Sequence, residues 1–133
     1  MDLRVLGPLR VLGDGGRPIR IASQAQRRLL SRLAVDSGSI VRTAVLEDDL
    51  GLTPNALRTS ISRLRLVIGA EHLLTSPPGY ELVPARVDAA EFEAHLARAR
   101  ASPAVDARSA IESALGLWCG DAFEDDAHHR FLL

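Results

Sequence analysis

Apolar positions along the chain change their period several times, and each change marks an element. Residues 3–6 and 9–12 are short apolar-rich runs split by Gly7-Pro8. Gly13-Asp14-Gly15-Gly16 then turns the chain into residues 18–21, the pattern of short antiparallel strands with tight glycine turns. From Ser23, a candidate cap, Ala25, Leu29, Leu30, Leu33 and Ala34 recur at helical spacing until Asp36-Ser37-Gly38. Gln24, Arg27, Arg28 and Arg32 fall on the flanks and outer side of that helix. An extended piece over 39–42 leads to Thr43, expected to cap a second helix over 44–50 that Gly51 ends.

The third helix is the most clearly bounded. Thr53 suits the N-cap, Pro54 the first helical position and Gly69 the position just past the end. At about 100° per residue, Leu57, Ile61, Leu64 and Ile68 form a narrow core stripe. Asn55, Thr59, Ser62 and Arg63 point the other way, Arg58 and Arg65 sit on one flank, and Leu66 falls among the outward residues. "LLTSPPGYELV" at 73–83 then reads as two short strands around a Pro-Pro-Gly turn, too short to stand without packing on the helices. A helix, a short turn, a helix of about 24 Å and a hairpin follow the order of a winged helix.

Beyond Val83 the pattern turns alanine-rich. Residues 87–101 carry Phe92, Leu96 and Ala99 in helical phase with Asp88 as a cap, Ser102-Pro103 breaks the run, and 106–119 repeat the style with Ala110, Ile111, Ala114, Leu115 and Trp118. The expected fold is α+β: a winged helix-turn-helix with a short N-terminal antiparallel sheet and a C-terminal wing hairpin, followed by an α-helical hairpin. The expected units are 1–86 and 87–133.

At 133 residues, 47% hydrophobic and 25% charged, the chain has the composition of an ordinary soluble globular protein. No run approaches the roughly 18 apolar residues of a membrane span, and the N-terminus is unlike a secretory signal, so the expected location is the cytoplasm, without a membrane partner. The net charge of −1 argues against nucleic acid until its distribution is considered. Residues 1–86 hold twelve arginines against eight acids, +4, and residues 87–133 hold four against nine, −5. A basic front and an acidic rear suggest surfaces with different partners.

Residues for enzyme chemistry are sparse. Gly13, Gly15 and Gly16 lack the Lys-Ser/Thr that completes a phosphate loop. The acid runs at 47–49 and 124–126 place neighbours on different sides of a helix, as on a solvated face. His128-His129 beside Asp125 and Asp126 could hold a metal only if the tail arranged them; His72 and His95 stand alone; the single Cys119 reads as a structural thiol. No catalytic residue, metal site or cofactor is assigned. Binding chemistry is better supplied: a major groove about 12 Å wide accepts one helix, and small polar residues edged by arginine allow close approach. Asn55, Thr59 and Ser62 are short enough to reach base edges or phosphates, and Arg58, Arg63 and Arg65 can supply charge. An ordinary solvent-facing helix explains the same residues.

The strings "LRTSISRLRLVIG", "HLLTSPPGYELV", "VDAAEFEAHLARARA" and "ALGLWCGDAF", with "LRVLGPLRVLGDGGRPIRI" and "SQAQRRLLSRLAVDSGSIV" before them, together resemble the Streptomyces antibiotic regulatory protein family. Members join a winged helix of the response-regulator (OmpR) type to a helical bacterial transcriptional activator domain, which here would be partial. The resemblance implies a sequence-specific DNA-binding transcriptional regulator. Residues 53–68 would enter the major groove of double-stranded DNA and the wing would lie beside it, with Arg58, Thr59, Ser62, Arg63 and Arg65 facing DNA, Asn55 in the same face, and Ser76 and Gly79 at the wing. Tyr80 would pack the wing against the helix. RNA polymerase and a second copy of the chain are the protein partners implied.

Three departures from the family stand out. The Gly51-Leu52 connection lacks the tryptophan- and proline-bearing loop, Leu66 stands where an arginine is frequent, and the activator domain normally continues past Leu133. Phe92, Leu96, Ile111, Leu115, Trp118 and Phe123 are therefore expected to lack cover, so that the second half docks on the winged helix or pairs with another copy. The alternative from a different class is a protein-interaction module with a degenerate winged helix that no longer binds DNA.

Overall fold

The computed structural model describes residues 1–84, 86–101 and 104–118. Strands β1 (Asp2–Arg4), β2 (Arg10–Leu12) and β3 (Pro18–Ile19) precede helix α1 (Gln24–Val35). Strand β4 (Ile40–Arg42), helices α2 (Thr43–Leu50) and α3 (Pro54–Ile68) and the hairpin β5 (Leu73–Ser76) and β6 (Gly79–Leu82) follow. Strand β7 (Arg86–Val87) leads into helices α4 (Asp88–Ala101) and α5 (Ala104–Leu115). This is the α+β winged helix-turn-helix with a following helical pair that the sequence pattern implies.

Two small sheets share one core with the first three helices. In the first, with order β3-β2-β1-β7, the register aligns Leu3 with Val11 and Val87, and Val11 with Ile19. Alternation puts that row on one face, where Leu3, Val11 and Val87 are buried and Ile19 packs beside them. The second sheet, order β4-β6-β5, contributes Val41, Tyr80, Leu82 and Leu73 to the same core. The helices bring Leu29, Leu30 and Leu33 of α1, Leu46 of α2, and Leu57, Ile61, Leu64 and Ile68 of α3 to that core.

Ser23 caps α1 as expected, its hydroxyl accepting from the Gln26 amide at 3.3 Å. Two features of the helix differ from the sequence expectation. Ala25 is exposed, and Arg32, assigned to the flanks and outer side, is buried. Arg32 donates through Nε to Asp49 at 2.8 Å and through Nη1 to Asp36 at 2.9 Å, which fastens α1 to α2. Burial opposes its charge, but hydrogen bonds and attraction from the two carboxylates outweigh that and hold its pKa above the ordinary value. Thr43 is a third difference: it begins α2 without capping it. Its backbone N–H and its hydroxyl both donate to the carbonyl of Pro78, at 3.2 and 3.3 Å, so the start of α2 holds the tip of the hairpin.

The junction between the two expected units is more closely knit than the sequence suggested. Arg86 and Val87 pair in parallel with Asp2 and Leu3, so the N-terminal sheet gains its fourth strand across the expected boundary at 86. Asp88, expected to cap α4, sends its two carboxylate oxygens to the backbone amides of Val5 at 2.8 Å and Leu6 at 3.1 Å. Helix α4 is thereby anchored on the first sheet. In the helical pair, Phe92 meets Trp118 edge to face at 5.3 Å. Of the residues expected to lack cover, Ile111 and Leu115 on α5 and Trp118 just past it are 42%, 61% and 37% exposed, whereas Phe92 and Leu96 are half-buried. Ser102, Pro103, Cys119 and Phe123 lie outside the described residues.

Replacing Asp88 with alanine strands two buried amides, each costing about 1–3 kcal/mol when unpaired. A urea titration of Asp88→Ala should show a loss of about 2–4 kcal/mol, and Asp88→Asn, which keeps one acceptor, a smaller one. Equal midpoints for wild type and Asp88→Ala would contradict this anchoring.

Candidate nucleic-acid interface

Helix α3 is set by its ends and by one stripe. The Thr53 hydroxyl accepts from the Ala56 amide at 3.2 Å, Pro54 occupies the first turn, and Gly69, at φ 99°, leaves the helix in a conformation that side chains resist. Gly51, at φ 64°, provides the tight turn from α2. Leu57, Ile61, Leu64 and Ile68 are buried, so the opposite side of α3 faces outward.

That outward side carries most of the expected site. Asn55, Arg58, Thr59, Ser62 and Arg63 are all exposed. Arg58 donates to Asn55 Oδ1, which lays one guanidinium along the N-terminal half of the face. Arg63 makes no ion pair or hydrogen bond among the described residues. No acid occurs between Thr53 and Gly69, so the potential along the face is set by arginine and by neutral polar groups.

The three remaining expected residues are placed differently. Arg65 turns toward the hairpin: Nε donates to the Leu73 carbonyl at 2.8 Å and Nη2 to Thr75 Oγ1 at 2.7 Å, while the guanidinium carbon stands 5.7 Å from the centre of the Tyr80 ring. Tyr80 is buried, in keeping with its expected packing role. Ser76 is half-buried at the end of β5. Gly79 is buried, because it pairs with Arg42 in register and lets β6 approach β4 so closely that a Cβ would sit 1.9 Å from the Val41 carbonyl oxygen. It admits the backbone contact and presents no surface of its own. Sequence reasoning missed two residues here. Arg42 is exposed beside the hairpin tip, and Thr43 holds that tip. Both lie at least thirty positions from the hairpin; the β4–β6 register brings Arg42 to it, and hydrogen bonds to the Pro78 carbonyl bring Thr43.

Among the described residues no three His, Cys, Asp or Glu side chains are grouped to hold a metal ion, and His128 and His129 lie outside them. No described helix is long and apolar enough to cross a membrane.

A three-helix core, a tight α2–α3 turn and a hairpin docked on the end of α3 define a winged-helix fold. No family model matches the chain. The Regulatory protein AfsR of Streptomyces griseus is 32% identical over 133 aligned positions that cover 89% of this chain. A solved structure of Mycobacterium tuberculosis EmbR in complex with a low affinity phosphopeptide superposes with a TM-score of 0.80 at 26% identity, covering 98% of this chain. These likenesses run over nearly the whole length of the chain and agree with its resemblance to the Streptomyces antibiotic regulatory protein family. The chain spans 13% of the length of the former protein and 39% of the latter chain.

The bridge from Arg65 gives a stability prediction. Arg65→Ala removes two hydrogen bonds and a cation–ring contact between α3 and the hairpin and should cost about 1–3 kcal/mol in chemical denaturation. Arg65→Lys should recover only part of that, since an ammonium lacks the planar fork that serves two acceptors at once. Full recovery with lysine would show that the charge alone matters.

Proposed function

We propose that the chain is a sequence-specific DNA-binding transcriptional regulator in which residues 53–68 enter the major groove and the hairpin 73–83 lies beside it. The observation that carries this reading is the outward side of α3. It is free of acids, lined by Asn55, Thr59 and Ser62, edged by the exposed Arg58 and Arg63, and flanked by the hairpin. Short polar side chains let a helix approach base edges closely, and the two arginines supply attraction to phosphates that does not depend on sequence. The hairpin, held to α3 through Arg65 and to α2 through Thr43, acts as a second contact that fixes the helix's angle in the groove. Arg42 adds a cation at that edge.

In this reading the expected division stands as a working one: residues 1–86 contact DNA and 87–133 form a helical unit that contacts protein. Ile111 and Leu115 on α5, with Trp118 just past it, form the exposed apolar surface for the second role, toward another copy of the chain, while any contact with RNA polymerase falls to the winged helix. One relative is named a regulatory protein, which supports a regulator; in this reading it acts in the cytoplasm without catalysis or a cofactor.

Gel shift of the chain against duplexes selected from a random pool, across a series of salt concentrations, tests the reading. Binding should weaken linearly with the logarithm of salt, and Arg63→Ala should weaken all duplexes alike while lowering the slope by about one. Failure to retain any duplex at low salt would favour a protein-interaction module instead. An unchanged slope in Arg63→Ala would remove that residue from the phosphate contacts.

A further inference from the structure

Leu66 is 87% exposed, well beyond any other large apolar side chain among the described residues; the next, Leu115, is 61% exposed. Its position is more telling than its exposure. Asn55, Thr59, Ser62 and Leu66 are spaced by four, three and four residues, which at about 100° per residue places all four within about 60° around α3. The leucine therefore continues the polar line that faces outward and belongs neither to the core stripe nor to the helix flank. Its neighbour Arg65 is bound to the hairpin, so nothing from that side covers it. A single exposed leucine is common on protein surfaces, but one that continues the outward polar line of α3 is placed to meet an apolar group on whatever that line contacts. The major groove offers one, the C5-methyl group of thymine.

We infer that Leu66 is a specificity residue that packs on a thymine methyl in the major groove. This rests on the DNA-binding reading above and adds to it the identity of one base and the residue that reads it. Along the axis, Leu66 lies about 16 Å from Asn55. At about 3.4 Å per base pair the thymine falls at most about five pairs from the one nearest Asn55, toward the hairpin. The contact is apolar, so it discriminates thymine from cytosine and also from uracil, whose hydrogen-bonding edge is the same as that of thymine. An arginine at this position would instead take a phosphate or a guanine.

The experiment uses the full chain and a duplex recovered by selection from random sequence. Each thymine is replaced in turn by deoxyuridine, which deletes only the methyl group, and affinity is measured for wild type and for Leu66→Ala. At one position the wild type should lose about fourfold, the worth of one small apolar group withdrawn from water. Leu66→Ala should bind the unmodified duplex more weakly and show no further loss at that position, while losses elsewhere stay as in wild type. Because Leu66 is exposed, the variant's unfolding midpoint should match that of wild type, which separates lost contact from lost fold. The inference is overturned if both proteins respond alike at every thymine, or if Leu66→Ala binds as tightly as wild type, an outcome that would leave the leucine to a protein contact. If no duplex is recovered by the wild type at all, the DNA-binding reading itself falls and takes this inference with it.

Discussion

Burial of Leu57, Ile61, Leu64 and Ile68 fixes the rotation of α3 about its axis, and the rest of the site follows from that rotation. These side chains are almost wholly withdrawn from water, each worth about 1.5–3 kcal/mol against exposure. Turning the helix by one residue, about 100°, would drive Arg58 or Ser62 into the core and bring leucines out. No such rotation is affordable, so Asn55, Thr59, Ser62 and Leu66 must face outward and Arg65 must face the hairpin.

Orientation alone does not make a surface; the second element has to be rigid relative to the first. Hydrogen bonds from Arg65 to the Leu73 carbonyl and Thr75, over the Tyr80 ring, tie the hairpin to α3, and Thr43 ties its tip to α2. Gly79 then brings β6 against β4. Three helices and one hairpin become a single body, with Arg32 between Asp36 and Asp49 locking α1 to α2 behind it. Asp88 makes the same kind of join at the other end, where α4 meets the N-terminal sheet.

The parts of this arrangement that are local in the chain were legible in the sequence. Helix α3 announced itself by Thr53, Pro54 and Gly69 at its ends and by an apolar stripe of the right period, and the outward set followed from the same wheel. The hairpin was marked by Pro77-Pro78-Gly79. What was not legible depends on residues far apart in the chain. Arg32 reads as a surface residue until Asp49, seventeen positions on, is folded against it. Arg65 shares its charge and its flank with Arg58, and only the docked hairpin separates a guanidinium bound to another element from one left on the helix's own face. Gly79 reads as a turn glycine, although its need comes from the approach of β4. Strand β7 has two residues and carries no period at all. Asp88 sits where a helix cap belongs and makes an equally good acceptor for amides some eighty positions away.

The central claim is that the outward side of α3 and the adjoining hairpin form one surface that docks on duplex DNA. Backbone amide shifts followed by NMR, as a selected duplex is added to the full chain, address it most directly. The account requires the largest changes at 55–66 and at Ser76 and Gly79, with α4 and α5 little affected. Changes confined to the helical pair, or an α3 whose amides stay unmoved at saturating duplex, would contradict it.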